Sequence, residues 1–263
     1  MRTAGRQDSL RALGFFDAIC VSLGVIWCLT LTSVSARAQQ SSVTGQVAVV
    51  RHISGKDVST QGSAPDASNV VVWLMPLENA AAAPAATPAA QPPPQLVQRN
   101  KSFEPHVLVI QVGSTVQFPN KDPFFHNVFS LFDGKRFDLG LYEGGSTNSA
   151  RFDRAGISFL FCNIHPEMSA IIVAVATPYF ALSDHSGYVA IPKVPDGRYL
   201  MHLWYERSSL ESLKSLDHPV TVSDSTHSLP LIQVIDNGDY KLAHKNKYGQ
   251  DYVPPASPAY SHP

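Results

Sequence analysis

The chain is broken into short runs of β-branched and aromatic residues, each closed off by Gly, Pro, Asn or Asp. Val43–Val50, Val70–Met75, His106–Val112, Ile157–Phe161, Ile171–Ala176 and Tyr199–Trp204 are the clearest. Runs this short fit strands, because a helix that buries a face needs a longer stretch with a 3.6-residue period. The expectation is an all-β fold. Ser208–Leu216 is the exception: Leu210, Leu213 and Leu216 recur three apart, which gives at most a couple of helical turns without a strong cap. With 44% hydrophobic and 16% charged residues in 263, there is enough apolar side chain for one or two cores.

The first 38 residues differ in kind. Arg2, Arg6 and Arg11 precede an apolar stretch from about Ile19 to Leu31, which runs into the small-x-small pattern Ala36-Arg37-Ala38. Residues 1–38 therefore read as a secretory signal peptide, and the protein as periplasmic or otherwise exported. The competing reading is an uncleaved anchor, which alone would bring the protein to a membrane; the apolar stretch is near the lower limit of spanning length. Losing this segment removes Arg2, Arg6, Arg11 and Arg37 against Asp8 and Asp17, from totals of 20 basic and 21 acidic residues. The remainder is mildly acidic, which argues against a nucleic-acid partner. Two further stretches lack core character. Residues 79–94 are Ala- and Pro-rich and read as an exposed linker, and residues 237–263 have no period and read as an extended tail.

Cys20 and Cys28 fall inside the leader, so Cys162 stands alone in a compartment that oxidises thiols. Such a cysteine is either buried and inert or has its sulfur occupied, and a metal occupies sulfur well. Its surroundings favour the metal. In Phe161-Cys162-Asn-Ile-His165-Pro-Glu-Met168 a thiol, an imidazole and a thioether follow at three-residue steps after an apolar strand, so one turn can bend all three to a point. A mononuclear electron-transfer copper site uses two imidazoles, one thiolate and a weak thioether. His126, after the turn-rich Pro119–Pro123, is the candidate second imidazole, delivered from another strand. Asn127 is placed to orient the ligands by hydrogen bonding across to the Cys162 loop. Taken singly, each of these residues is more often structural. His106 has no ligand-spaced neighbours and reads as structural, and Glu167 as facing solvent.

The segments Phe103-Glu-Pro105, Ile110–Asp122, His126-Asn-Val128, Gly144-Gly145, Phe152–Gly156 and Phe161–Met168 together resemble the cupredoxin family of plastocyanin and amicyanin, over residues 95–178. The short C-x-x-H-x-x-M loop is most similar to amicyanin and to plastocyanin-like proteins labelled methylamine-utilisation proteins. The resemblance implies a Greek-key β-sandwich in which His126, Cys162, His165 and Met168 hold one copper ion. One departure is Ala170, where many relatives have Gly.

The flanks, Thr44–Val47 with Asn69–Pro76 and Phe180–Trp204, resemble two halves of a carboxypeptidase regulatory-like, transthyretin-type sandwich, residues 42–78 and 179–236, with the copper domain inserted between them. The turns Asp184–Gly187 and Pro195-Asp-Gly197 predict a hairpin in the second half. No peptidase metal motif accompanies it. The function expected is one-electron transfer to a redox partner protein, not enzymatic. Copper capture or delivery is the alternative, and a purely structural or adhesive role is a third. A multicopper oxidase or nitrite reductase would need His-x-His clusters, and none of the ten histidines is so paired.

Overall fold

The computed structural model describes residues 40–53, 56–57, 66–77, 92–131, 134–223, 225–238 and 244–252. The leader, most of the Ala/Pro-rich stretch and the last residues of the tail, on which several of the expectations above fall, lie outside the described residues. In chain order the elements are β1 (Gln40–Ile53), β2 (Lys56–Asp57), β3 (Val71–Pro76), β4 (Val97–Arg99), β5 (Ser102–Glu104), β6 (Val107–Gln111), β7 (Thr115–Pro119), β8 (His126–Ser130), β9 (Phe137–Tyr142), β10 (Thr147–Arg151), β11 (Gly156–Phe161), β12 (Ser169–Val175), β13 (Phe180–Leu182), β14 (Tyr188–Pro195), β15 (Gly197–Trp204), α1 (Leu210–Ser215), β16 (His218–Val222) and β17 (Ile232–Asp236). The fold is nearly all β, as the strand pattern predicts.

Residues 95–175 build a five-stranded sheet of order β6-β12-β11-β8-β9 and two smaller ribbons, β10-β7 and β4-β5. β6 runs parallel to β12, and the other neighbours in the sheet are antiparallel. β4 approaches β7 through the bridges Gln95–Gln117 and Gln98–Asn120. The strands before and after this segment pair with one another. β1 lies antiparallel to β14 and parallel to β17, and β3 lies between β13 and β15 in a sheet that ends at β16.

β12 explains how the parts are joined. Strand side chains alternate between faces. Ala170, Ile172 and Ala174 pack with Phe118, Val128 and Leu160 in one core, whereas Ile171, Val173 and Val175 pack with Val47, Val72 and Met201 in the other. A strand buried on both faces has no polar side to show, which is why it reads as an unbroken apolar run.

Three local expectations are corrected. First, α1 is capped: Ser209 accepts a hydrogen bond from the Ser212 N–H, and Leu213 is the buried residue of the helix while Leu210 is 65% exposed. A helix this short turns only one leucine fully inward. Second, β14 and β15 do not form a hairpin. β14 pairs with β1 and β15 with β3 and β16, so the chain changes sheets at Asp196. Closing a two-sheet sandwich requires such crossings, and turn chemistry alone does not distinguish them from hairpins. Third, residues 244–252 are not a free tail; they fold back onto the loop after β11.

Candidate metal centre

The first imidazole is positioned by a loop held from inside. Asn120, fully buried, donates from Nδ2 to the carbonyls of Phe124 (2.8 Å) and Tyr142 (3.3 Å) and accepts the Asp122 N–H at Oδ1 (3.0 Å). Gly144 lies against this turn, where a Cβ would stand 2.3 Å from the Asp122 carbonyl oxygen, so only glycine fits. His126 then enters as the first residue of β8, a strand buried along its length.

The other three candidates come from the seven residues between β11 and β12. The Cys162 N–H reaches the Met168 carbonyl (3.3 Å) and the Met168 N–H reaches the His165 carbonyl (3.1 Å), which closes the loop on itself. Cys162 Sγ lies 3.6 Å from His165 Nδ1 and 3.9 Å from His126 Nδ1. All three donor atoms are within 4.8 Å of one another, the one such cluster among the described residues. The two imidazole rings meet edge-on at 4.9 Å between centroids, and Phe124 packs against both. Met168 is fully buried in the same core as Cys162. His165 is half-buried, and Glu167 is exposed, as the sequence predicts.

Hydrogen bonding to Asp122 turns Nδ1 of His126 toward the thiol. His126 Nε2 lies 2.7 Å from Asp122 Oδ2. Burial opposes a charge on Asp122, but the Lys101 N–H, the His126 ring and the Asn100 N–H outweigh it and hold the carboxyl below its usual range. A carboxylate can only accept, so Nε2 carries a proton and Nδ1 is the nitrogen turned to the thiol. Burial pushes the Cys162 thiol up, against the pull of the backbone N–H groups of Ile164, Asn127 and His165. Burial, followed by the neighbouring His126, lowers His165, which favours a neutral ring with a lone pair available. Soft sulfur, two imidazoles and a buried thioether make a donor set that fits copper.

Asn127 serves a different neighbour from the one the sequence indicates. Its Nδ2 donates to Asp138 Oδ1 (2.7 Å) and to the Gly140 carbonyl (2.9 Å) on β9, and its backbone N–H faces the Cys162 thiol. His106 is structural in placement, 2.7 Å from Glu206.

Two groups of residues were not found by reading the sequence. Asp122 had a usable signal: an acid four positions before His126, in a Pro-Asn-Lys-Asp-Pro turn. The tail had none. Tyr252 donates to the Cys162 carbonyl (2.7 Å), the Lys247 N–H to Asn163 Oδ1 (3.0 Å), and His244 Nε2 to the Pro166 carbonyl (2.8 Å). Burial and then the Cys162 sulfur push the Tyr252 hydroxyl up to about 12, so it remains a donor.

No protein-family model and no curated protein sequence matches the chain. Solved structures do align with part of it. A purple cupredoxin from Nitrosopumilus maritimus is 23% identical over 31% of this chain and 99% of its own, with a TM-score of 0.29. A Cu(I) mutant of amicyanin is 21% identical over 34% of this chain and 87% of its own, with a TM-score of 0.31. A copper-containing nitrite reductase from Thermus scotoductus SA-01 is 23% identical over 48% of this chain and 28% of its own, with a TM-score of 0.31.

Proposed function

We propose that the protein is an exported, mononuclear blue-copper protein that carries one electron at a time, with His126, Cys162, His165 and Met168 as the ligands. The observation that carries this reading is the buried Cys162 thiol within 4 Å of the Nδ1 atoms of two histidines, one of them fixed by Asp122. One copper ion bound there supplies reversible one-electron chemistry between Cu(II) and Cu(I).

The residues keep the site nearly unchanged between the two states. Asp122 fixes the tautomer and direction of the His126 ring, and the closed loop fixes Cys162 against Met168. The deep core excludes water. His165 is the exit toward a redox partner, with Phe124 packed against its ring and exposed Ile164 next to it in the chain. No enzymatic step is assigned. Residues 42–78 and 179–236 are taken as two parts of one regulatory-like sandwich, whose role is support.

A second reading, copper delivery without redox turnover, has one observation in its favour: His165 sits on a loop that is partly open to solvent. Electron self-exchange, measured by NMR line broadening in mixed-valence samples, separates the two when paired with copper transfer to a competing chelator. Fast exchange with slow copper loss supports the carrier. Slow exchange with ready transfer overturns it in favour of delivery.

A further inference from the structure

The peptide that joins Cys162 to Pro166 makes three of its polar contacts with one distant segment. Tyr252 takes the carbonyl of Cys162, Lys247 the side chain of Asn163, and His244 the carbonyl of Pro166. The same segment reaches β9, the strand paired with the one that bears His126. Lys247 Nζ lies 2.7 Å from Asp138 Oδ2, and the other oxygen of Asp138 holds Asn127. His244 stacks on Phe161 at 3.9 Å and 25°, and the Tyr252 ring meets His244 at its edge. Residues 244–252 thus tie the ligand loop after β11 to β9, whose neighbour β8 bears His126.

We propose that residues 244–252 are a positioning strap for the ligand loop, with Tyr252 as its principal residue, acting through the carbonyl of Cys162. This rests on the metal-site reading above, but its physical content does not require the metal. A loop whose carbonyls are not paired in a sheet is free to open, and each hydrogen bond removed shifts the opening equilibrium. Cys162 is fully buried, so its sulfur meets a reagent only when the loop opens.

The test uses the full-length, metal-free protein and iodoacetamide at fixed neutral pH, with alkylation read on the peptide that carries Cys162. Tyr252→Phe removes only the hydroxyl and is expected to speed labelling about fivefold, the effect of one net hydrogen bond. The midpoint of thermal unfolding falls by only a few degrees, the loss of the same single bond, and the labelling rate does not respond to low urea, because the opening is local. Deleting residues 239–263 is expected to speed labelling further. Leu231→Ala, at a residue 61% exposed and outside the strap, is expected to leave it unchanged. Hydrogen exchange at Ile164 and His165 is expected to accelerate in step with labelling.

In the copper-loaded protein, Tyr252→Phe is expected to shift the charge-transfer band without abolishing it. Unchanged labelling in Tyr252→Phe overturns the strap, as does labelling that rises with low urea as steeply as global unfolding does. If the unmutated protein gives no charge-transfer band, the copper reading falls while the labelling rates still decide the strap.

Discussion

The Asp122 carboxylate stands 2.7 Å from Nε2 of His126, and both side chains are shut away from water. That contact decides which nitrogen of His126 is available, because a carboxylate held ionised by the N–H groups of Asn100 and Lys101 can receive only a donated proton. Replacing Asp122 by Asn puts an amide where only an acceptor fits. The expected result is copper affinity weaker by about 10- to 100-fold, measured by competition with a chelator, as for other residues that orient metal-bound histidines. Unchanged affinity would mean that the His126 ring is fixed by its burial alone.

Gly144 supports the same loop from the other side. A Cβ there meets the Asp122 carbonyl at 2.3 Å, and backbone cannot yield as a flexible side chain would. Gly144→Ala is expected to destabilise the fold by about 1–3 kcal/mol, the usual cost of overpacking. Chemical denaturation checks the stability, and a copper titration checks whether Asp122 has moved.

Much of this site is legible in the sequence, and the limits are physical. Cys162, His165 and Met168 are local, so their spacing shows that one turn can gather them. β12 shows itself as an apolar run because both its faces are buried. Asp122 is nearly local too, and its position before His126 carries a signal once the Nε2 contact is understood. The strap is different. His244, Lys247 and Tyr252 act at a sequence distance of roughly eighty residues or more through single hydrogen bonds, which leave no periodicity and no composition bias. The sheet change at Asp196 is hidden for a related reason: Pro-Asp-Gly makes a turn in either topology, and the partner strands decide which.

The ion pair between His106 and Glu206 gives a pH dependence away from the metal centre. Hydrogen bonding to Glu206, opposed by burial and aided by the glutamate's charge, raises His106 above its ordinary 6.5. A raised folded-state value means that the pair's stabilisation is fully present below about pH 6.5 and is lost as pH rises through the folded value. Urea unfolding of the protein and of His106→Gln between pH 5 and 9 should show a difference that is largest at the acid end and shrinks toward pH 9. A difference that grows with pH would contradict the pairing.

Met168 is fully buried, and leucine nearly matches its volume. Met168→Leu is expected to cost less than about 1.5 kcal/mol of stability, as volume-conserving swaps do. The copper protein should keep its colour and show a higher reduction potential by voltammetry, because loss of a weak axial donor disfavours Cu(II). A lowered potential would remove Met168 from the axial position.

The central claim is that Cys162 binds copper as a thiolate between His126 and His165. Adding one equivalent of Cu(II) to the metal-free protein, and recording the optical and paramagnetic-resonance spectra beside those of Cys162→Ser, tests it most directly. The account predicts an intense blue or green charge-transfer band in the unmutated protein and its loss in a folded Cys162→Ser. A colourless copper complex, or a band that survives the substitution, would contradict it.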